Sequence, residues 1–286
     1  MDLIGTGVAL VTPFDQNLEV DYVGLKNVLD HTSVVDYWVV HGTTGESATT
    51  IAEEKAQILD FVKRNNTSNR PIVYGLGGNN TNYIIDQLNS INFEGISALL
   101  SVCPYYNKPS QHGLHAHFCE IADASPVPVV LYNVPGRTSS NLTAETTLRL
   151  AEHNNIIGIK ESSGDLQQCT DVIKNAPKGF ALISGDDLIT LPLMALGGKG
   201  VISVLANALP QKMKDLVDTA LSGEYEKARQ LLYEYFDLNP LMYSEANPVG
   251  VKQVLKELRL CENFVRLPLI AASEELQIAI RKQLKK

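Results

Sequence analysis

The stretch Gly5-Thr-Gly-Val-Ala-Leu-Val-Thr-Pro-Phe14 decides between two α/β architectures open to this chain. It begins as a β-rich apolar run, Gly5–Thr12, and ends in Thr12-Pro13-Phe14. A doubly wound open sheet often follows its first strand with a glycine-rich turn for a dinucleotide, and Thr-Pro-Phe cannot cradle a pyrophosphate. Further along the chain, runs of the same kind recur at Tyr37–Val40, Pro71–Gly75, Ser97–Val102, Val127–Tyr132, Ile156–Lys160, Phe180–Ser184 and Gly200–Val204. Most intervals between them carry helical periodicity. Eight such runs, each followed by a helix or a loop, predict a (β/α)8 TIM barrel.

Helix starts are legible as well. Thr50-Ile-Ala-Glu53 reads as a capping box, Thr143 precedes a helical run, and Asp186-Asp187 places acid near another start. After Pro210 the strand signal stops, and Gln211–Ser222, Glu224–Leu238, Pro248–Leu258 and Ser273–Lys285 all read as helices. Gly223 suits a helix end and Pro248 a first helical turn. The first of these helices is expected to complete the barrel. The expected division is a catalytic barrel over residues 1–223 and a small C-terminal helical domain over 224–286.

Composition narrows the function classes. The 286 residues are 44% hydrophobic and 20% charged, as in an ordinary globular protein with a substantial core. The 24 basic and 32 acidic residues give a net charge of −8, with no basic patch of the kind a nucleic-acid binder carries. The short basic end, Arg281, Lys282, Lys285 and Lys286, reads as a solvated helix terminus. No apolar stretch is long enough for a membrane span, and the N-terminal run lacks the basic start and cleavage site of a signal peptide. Cys103, Cys119, Cys169 and Cys261 are widely spaced without a CxxC pair, which reads as reduced thiols in a cytoplasmic protein. Neither they nor His112, His115 and His117 form a recognised metal-ligand set.

Catalytic groups of a barrel of this type gather at the C-terminal strand ends. There the chain carries Gly42-Thr-Thr-Gly-Glu46, Gly75-Leu-Gly-Gly-Asn-Asn80, Pro104-Tyr-Tyr-Asn107, Tyr132-Asn-Val-Pro-Gly-Arg-Thr138, Lys160-Glu161 and Ser184-Gly-Asp-Asp187. Lys160 follows the apolar strand Ile156-Ile-Gly-Ile159. Desolvation in a barrel mouth favours a neutral amine, which can attack a ketone and form an iminium electron sink. The plainer alternative is a strand-end lysine paired with Glu161 or Asp165. Tyr132 could be a general acid or base, or a core-edge tyrosine with a wet hydroxyl. Gly42–Glu46 could be an anion nest for a carboxylate, or a plain turn. Arg137 could clamp a second carboxylate, or simply face solvent. These residues define a candidate site without naming a reaction.

At these positions the sequence resembles the pyruvate-dependent, class I aldolase-type family that includes dihydrodipicolinate synthases and N-acetylneuraminate lyases. The resemblance runs through GTTGESAT (Gly42–Thr49), PYYNKPSQ (Pro104–Gln111), YNVPGRT (Tyr132–Thr138), IIGIKESSGD (Ile156–Asp165), SGDD (Ser184–Asp187) and GVISV (Gly200–Val204), in order along the whole chain. It implies that Lys160 forms an imine with pyruvate, and that Tyr132, Thr43 and Tyr106 form a proton relay. It also implies that Tyr106 is delivered from a neighbouring subunit of a homo-oligomer, usually a tetramer built as a dimer of dimers. Thr43 and Thr44 would hold the pyruvate carboxylate, and Gly185 and Ile202 would line the pocket. An arginine at position 137 points to the synthase branch, where it would bind the carboxylate of aspartate semialdehyde. A sugar-acid lyase is the alternative within the family; a catalytically dead binding paralogue would show a lesion at Lys160, Tyr132 or Thr43, and there is none. No metal or organic cofactor is implied.

Some members of the family are inhibited by lysine, bound near the positions of Ser47, Ala48, Ala52, Lys55, Asn79, Tyr83 and Tyr105. The sensitive type has an acid at position 83 and histidines at 52 and 55, whereas this chain has Tyr83, Ala52 and Lys55. An effector ammonium is repelled by Lys55, so weak or absent inhibition is expected.

Overall fold

A computed structural model describes residues 3–285; Met1, Asp2 and the terminal Lys286 lie outside the described residues. Eight parallel strands close into a barrel in sequence order: β1 Gly5–Ala9, β2 Tyr37–Val40, β3 Ile72–Gly75, β4 Ala98–Val102, β5 Val129–Asn133, β6 Ile156–Glu161, β7 Ala181–Ser184 and β8 Gly200–Ser203. Closure is made by β1 against β8, with Gly5 opposite Gly200 and Gly7 opposite Ile202. The helices that cover the barrel are α1 Tyr22–His31, α2 Ala52–Asn65, α3 Thr81–Ser90, α4 Gln111–Ala124, the single turn α5 Pro135–Thr138, α6 Ala144–Leu150, α7 Leu166–Asn175, α8 Thr190–Ala195 and α9 Pro210–Leu221. They are followed by α10 Tyr225–Tyr233, α11 Val249–Glu257 and α12 Glu274–Leu284.

Side chains alternate across each strand, so the barrel sorts its apolar residues into two cores. Tyr37, Val39, Val73, Ala98, Leu100, Val130, Tyr132, Ile183 and Ile202 fill the lumen. Trp38, Val40, Ile72, Leu99, Val129, Leu131, Ile159 and Leu182 face the helices. Gly158 lets β6 approach β7 closely: a Cβ there would stand 2.5 Å from the Ala181 carbonyl oxygen.

The eight strands occur where the sequence places them, with informative differences at their ends. The first run leaves the sheet after Leu10, because the Val11 amide donates to the Asn207 side chain and the Thr12 hydroxyl donates to the Gly45 carbonyl. The capping box at Thr50–Glu53 is not formed. Thr50 donates to the Glu46 carbonyl, and α2 starts one residue later with the Glu54 carboxylate accepting from the Ile51 amide at 3.0 Å. Thr143 caps α6 as the sequence indicates, accepting from the Thr146 amide.

α9 packs on β1 and β8, α10 packs on α9 and α8, and α11 packs on α12. The helix read over Glu224–Leu238 ends at Tyr233 and continues as turns into a short 3-10 helix over Asn239–Met242, with Pro240 in its first turn. Among the described residues no helix is long and apolar enough to cross a membrane, and no cluster of three or more His, Cys, Asp or Glu residues is placed to hold a metal ion. All four cysteines are free.

Candidate active site

β5 and β6 run side by side with Tyr132 paired to Lys160, so both side chains point into the lumen at one level. Lys160 Nζ lies 4.4 Å from the centre of the Tyr132 ring, a cation–π distance. Lys160 is only 6% exposed, and among the described residues it forms no ion pair. The pairing with Glu161 considered from sequence does not occur, because strand alternation turns Glu161 to the opposite face. There its carboxylate accepts from Asn133 Nδ2, the Ser163 amide and Gln168 Nε2, while burial raises its pKa. Asp165 is occupied as the N-cap of α7.

Gly185 follows β7 and stands against the Lys160 stem. A Cβ at this position would lie 2.8 Å from Lys160 Cε and would overlap the Ser162 hydroxyl. Its lack of a side chain leaves room for the amine. Ile202, on β8, is fully buried in the same lumen core as Tyr132.

The loop after β2 carries Thr43 and Thr44. The Gly45 and Glu46 amides are consumed by turn bonds to the Gly42 and Thr43 carbonyls, each 3.1 Å. Among the described residues the Thr43 and Thr44 amides have no protein acceptor, so two donors remain at the start of the turn. Thr44 is buried and Thr43 half-buried. Glu46 turns inward, where its carboxylate pairs with Lys252 of α11 and accepts from the Arg266 amide at 3.1 Å.

Arg137 is exposed on α5, at the rim beyond β5. Tyr106, in the loop after β4, is 90% exposed with a left-handed φ of 73° and therefore projects away from its own barrel. The structure thus sets Tyr132 and Gly185 each against Lys160, sets Ile202 in the same lumen, places the threonines and Arg137 on the same rim, and leaves Tyr106 pointing outward.

Asp187 was legible from sequence only as a rim residue and an acid near a helix start; its partners, and two side chains from the C-terminal region, escaped sequence reasoning. Asp187 is buried after β7, its carboxylate accepting from the Val204 and Leu205 amides at 3.2 and 2.9 Å. Burial raises its pKa. The segment between α10 and α11 returns across the mouth: Tyr243 Oη lies 3.5 Å from Asp187 Oδ2, and Asn247 Nδ2 lies 3.0 Å from Thr44 Oγ1. The Tyr243 phenol is held well above its ordinary pKa by burial first, then by Asp187, Asp186 and Tyr132, with Arg137 opposing. It therefore lies within electrostatic reach of both Tyr132 and Arg137. Contacts that span 56 and 203 residues leave no local pattern. One usable signal did exist: Lys252 interrupts Val249-Gly-Val-Lys-Gln-Val-Leu255, and a cation in so apolar a helix calls for a buried anion.

Comparison with known proteins identifies the family. The family model described as the dihydrodipicolinate synthetase family matches residues 2–286. The 4-hydroxy-tetrahydrodipicolinate synthase of Cytophaga hutchinsonii is 51% identical over 274 residues, covering 95% of this chain and 92% of the relative. That of Parabacteroides distasonis is 48% identical, covering 94% and 92%. The crystal structure of dihydrodipicolinate synthase from Aquifex aeolicus superposes with a TM-score of 0.95 at 38% identity, covering 99% of this chain and 97% of that one. With a family match across nearly its full length and relatives this similar, the chain belongs to the dihydrodipicolinate synthetase family.

Proposed function

We propose that the protein condenses pyruvate with L-aspartate 4-semialdehyde, the reaction of a 4-hydroxy-tetrahydrodipicolinate synthase, with Lys160 as the nucleophile. The observation that carries this reading is a buried lysine without an anion, set against a tyrosine ring at the mouth of a barrel of this family. The Lys160 amine adds to the pyruvate C2 carbonyl, and loss of water leaves an iminium. Loss of a C3 proton gives the enamine, whose C3 forms a bond to the semialdehyde carbon while that oxygen takes up a proton. The amino group of the adduct then attacks C2, closes the ring and releases Lys160. Tyr132, Thr43 and Tyr106 are assigned to proton movement. Thr43 and Thr44 are assigned to the pyruvate carboxylate, Gly185 and Ile202 to the pocket wall, and Arg137 to the semialdehyde carboxylate. No organic cofactor or metal enters the scheme.

The relay requires a second subunit. A tyrosine that is 90% exposed in its own chain is available to a neighbour's site, which supports a homo-oligomer, taken here as a tetramer of two dimers. Residues 1–223 are assigned as the catalytic barrel and 224–286 as the helical domain, in a cytoplasmic enzyme. Lys55 and Tyr83, in place of the histidine and acid of lysine-sensitive members, favour weak or absent inhibition by lysine.

The test is turnover of pyruvate with aspartate semialdehyde, coupled to the downstream reductase, against turnover with N-acetylmannosamine. Consumption of reduced nicotinamide with the semialdehyde alone is expected; turnover only of the sugar aldehyde would move the protein to the lyase branch. Arg137→Ala is expected to raise the semialdehyde KM while pyruvate handling is kept. The cost is about 1.5–3 kcal/mol for a lost charge-assisted contact, and unchanged semialdehyde kinetics would refute the clamp.

A further inference from the structure

Asn247 comes from the segment between α10 and α11, far in sequence from the barrel mouth, and is 7% exposed. Its Nδ2 lies 3.0 Å from the hydroxyl of Thr44, itself 2% exposed. A side-chain amide nitrogen donates and cannot accept, so Thr44 Oγ1 is the acceptor of this bond. The proton on Thr44 must then point elsewhere, and among the described residues no protein group takes it. Asn247 Oδ1 is also buried with no partner, a cost that a residue kept only for packing would not carry.

We propose that Asn247 is a positioning residue, which fixes the Thr44 hydroxyl with its proton directed at the carboxylate of the 2-oxo acid substrate. The proposal rests on the assignment of Thr44 to that carboxylate. It gives the C-terminal helical region a part in substrate binding: the polypeptide after the barrel returns to set the hydrogen-bond polarity of a group in the loop after β2. With the amide donor in place, Thr44 presents a donor to an anion. With a carboxylate in place of the amide, the hydroxyl would turn its proton away and a negative charge would stand beside the substrate's own.

The experiment uses the full chain with Asn247→Ala, Asn247→Asp, Thr44→Val and the double variant Thr44→Val/Asn247→Ala, each checked by thermal melting. Steady-state kinetics are measured for each substrate at saturating levels of the other. Asn247→Ala is expected to raise the pyruvate KM about tenfold, with the semialdehyde KM unchanged. Asn247→Asp, nearly identical in shape, is expected to be worse than alanine. The double variant is expected to be no worse than Thr44→Val, because both changes remove the same interaction. A wild-type-like Asn247→Asp, or losses that multiply in the double variant, would overturn the proposal. Asn247→Asp keeps the packing and so decides the question even if Asn247→Ala is too unstable to assay. Failure of the underlying reading looks different: wild-type protein would leave no borohydride-trapped pyruvate on Lys160, or Thr44→Val would leave the pyruvate KM untouched.

Discussion

Lys160 and Lys252 are both withdrawn from water, at 6% and 0% exposure, yet their surroundings differ in kind. Lys252 projects from α11 into a prepared site: its ammonium pairs with Glu46, donates to the Phe264 carbonyl at 2.8 Å and sits 4.2 Å from the centre of the Phe14 ring. Burial lowers its pKa and Glu46 opposes that shift. Lys160 has the ring of Tyr132 and no carboxylate. An amine held by an ion pair and a backbone carbonyl is fixed in place, whereas one with no anion to hold it is available for chemistry rather than for structure. The two also differ in what they join. Lys252 fastens the C-terminal helices to the loop after β2, and Arg266 reinforces that junction by pairing with Glu54 and donating to the Leu18 and Thr49 carbonyls.

The comparison breaks most readily at Lys252. Lys252→Met strands the Glu46 carboxylate in the interior and is expected to cost about 3–5 kcal/mol of folding stability. The companion variant Glu46→Gln/Lys252→Met, which removes both charges, is expected to lose less. Chemical denaturation of both variants checks this, and a single variant as stable as wild type would show the pair to be dispensable.

Buried bases that shed their proton give the next test. His41 and His117 are buried without an anion, and burial pushes each down to about 4. Above pH 6.5 both folded and unfolded imidazoles are neutral, and the full stability is present. As the pH falls below 6.5 the unfolded imidazole takes up a proton that the folded one refuses until about pH 4, so stability is lost across that window. At pH 5 the loss is about 2 kcal/mol per histidine. His41→Asn, chosen because asparagine tolerates the left-handed φ of 62° at this position, is expected to flatten the decline between pH 7 and pH 5. An identical pH slope in the variant would assign the loss to other groups.

The smallest effect on stability is expected at Lys160. Lys160→Met removes a buried amine that has no ion pair to lose, and unfolding free energy is expected to stay within about 1 kcal/mol of wild type or to rise, as is common where function has been kept at the expense of stability. A loss as large as that of Lys252→Met would mean that Lys160 carries structural weight after all.

The fold was legible because it rests on short-range pattern. Eight apolar runs with helical intervals leave few other architectures, and only the ends moved, where a side chain such as Asn207 or Glu54 took over a backbone group. Lys160 and Tyr132 were legible as strand-end residues, but their contact follows from the β5–β6 register, which no local pattern encodes. Thr44 could be read as an anion binder, whereas Asn247, 203 residues away, could not be linked to it. The error at Thr50 has the same origin. Its hydroxyl was claimed by the Glu46 carbonyl within a turn that the buried Glu46–Lys252 pair holds in place.

The most direct measurement is reduction with borohydride in the presence of pyruvate, followed by intact-mass analysis and peptide mapping. The account predicts one reduced pyruvate adduct per chain on the peptide carrying Lys160, and none in Lys160→Met. An adduct that persists in that variant, or that maps to Lys252, would contradict the assignment of the two lysines.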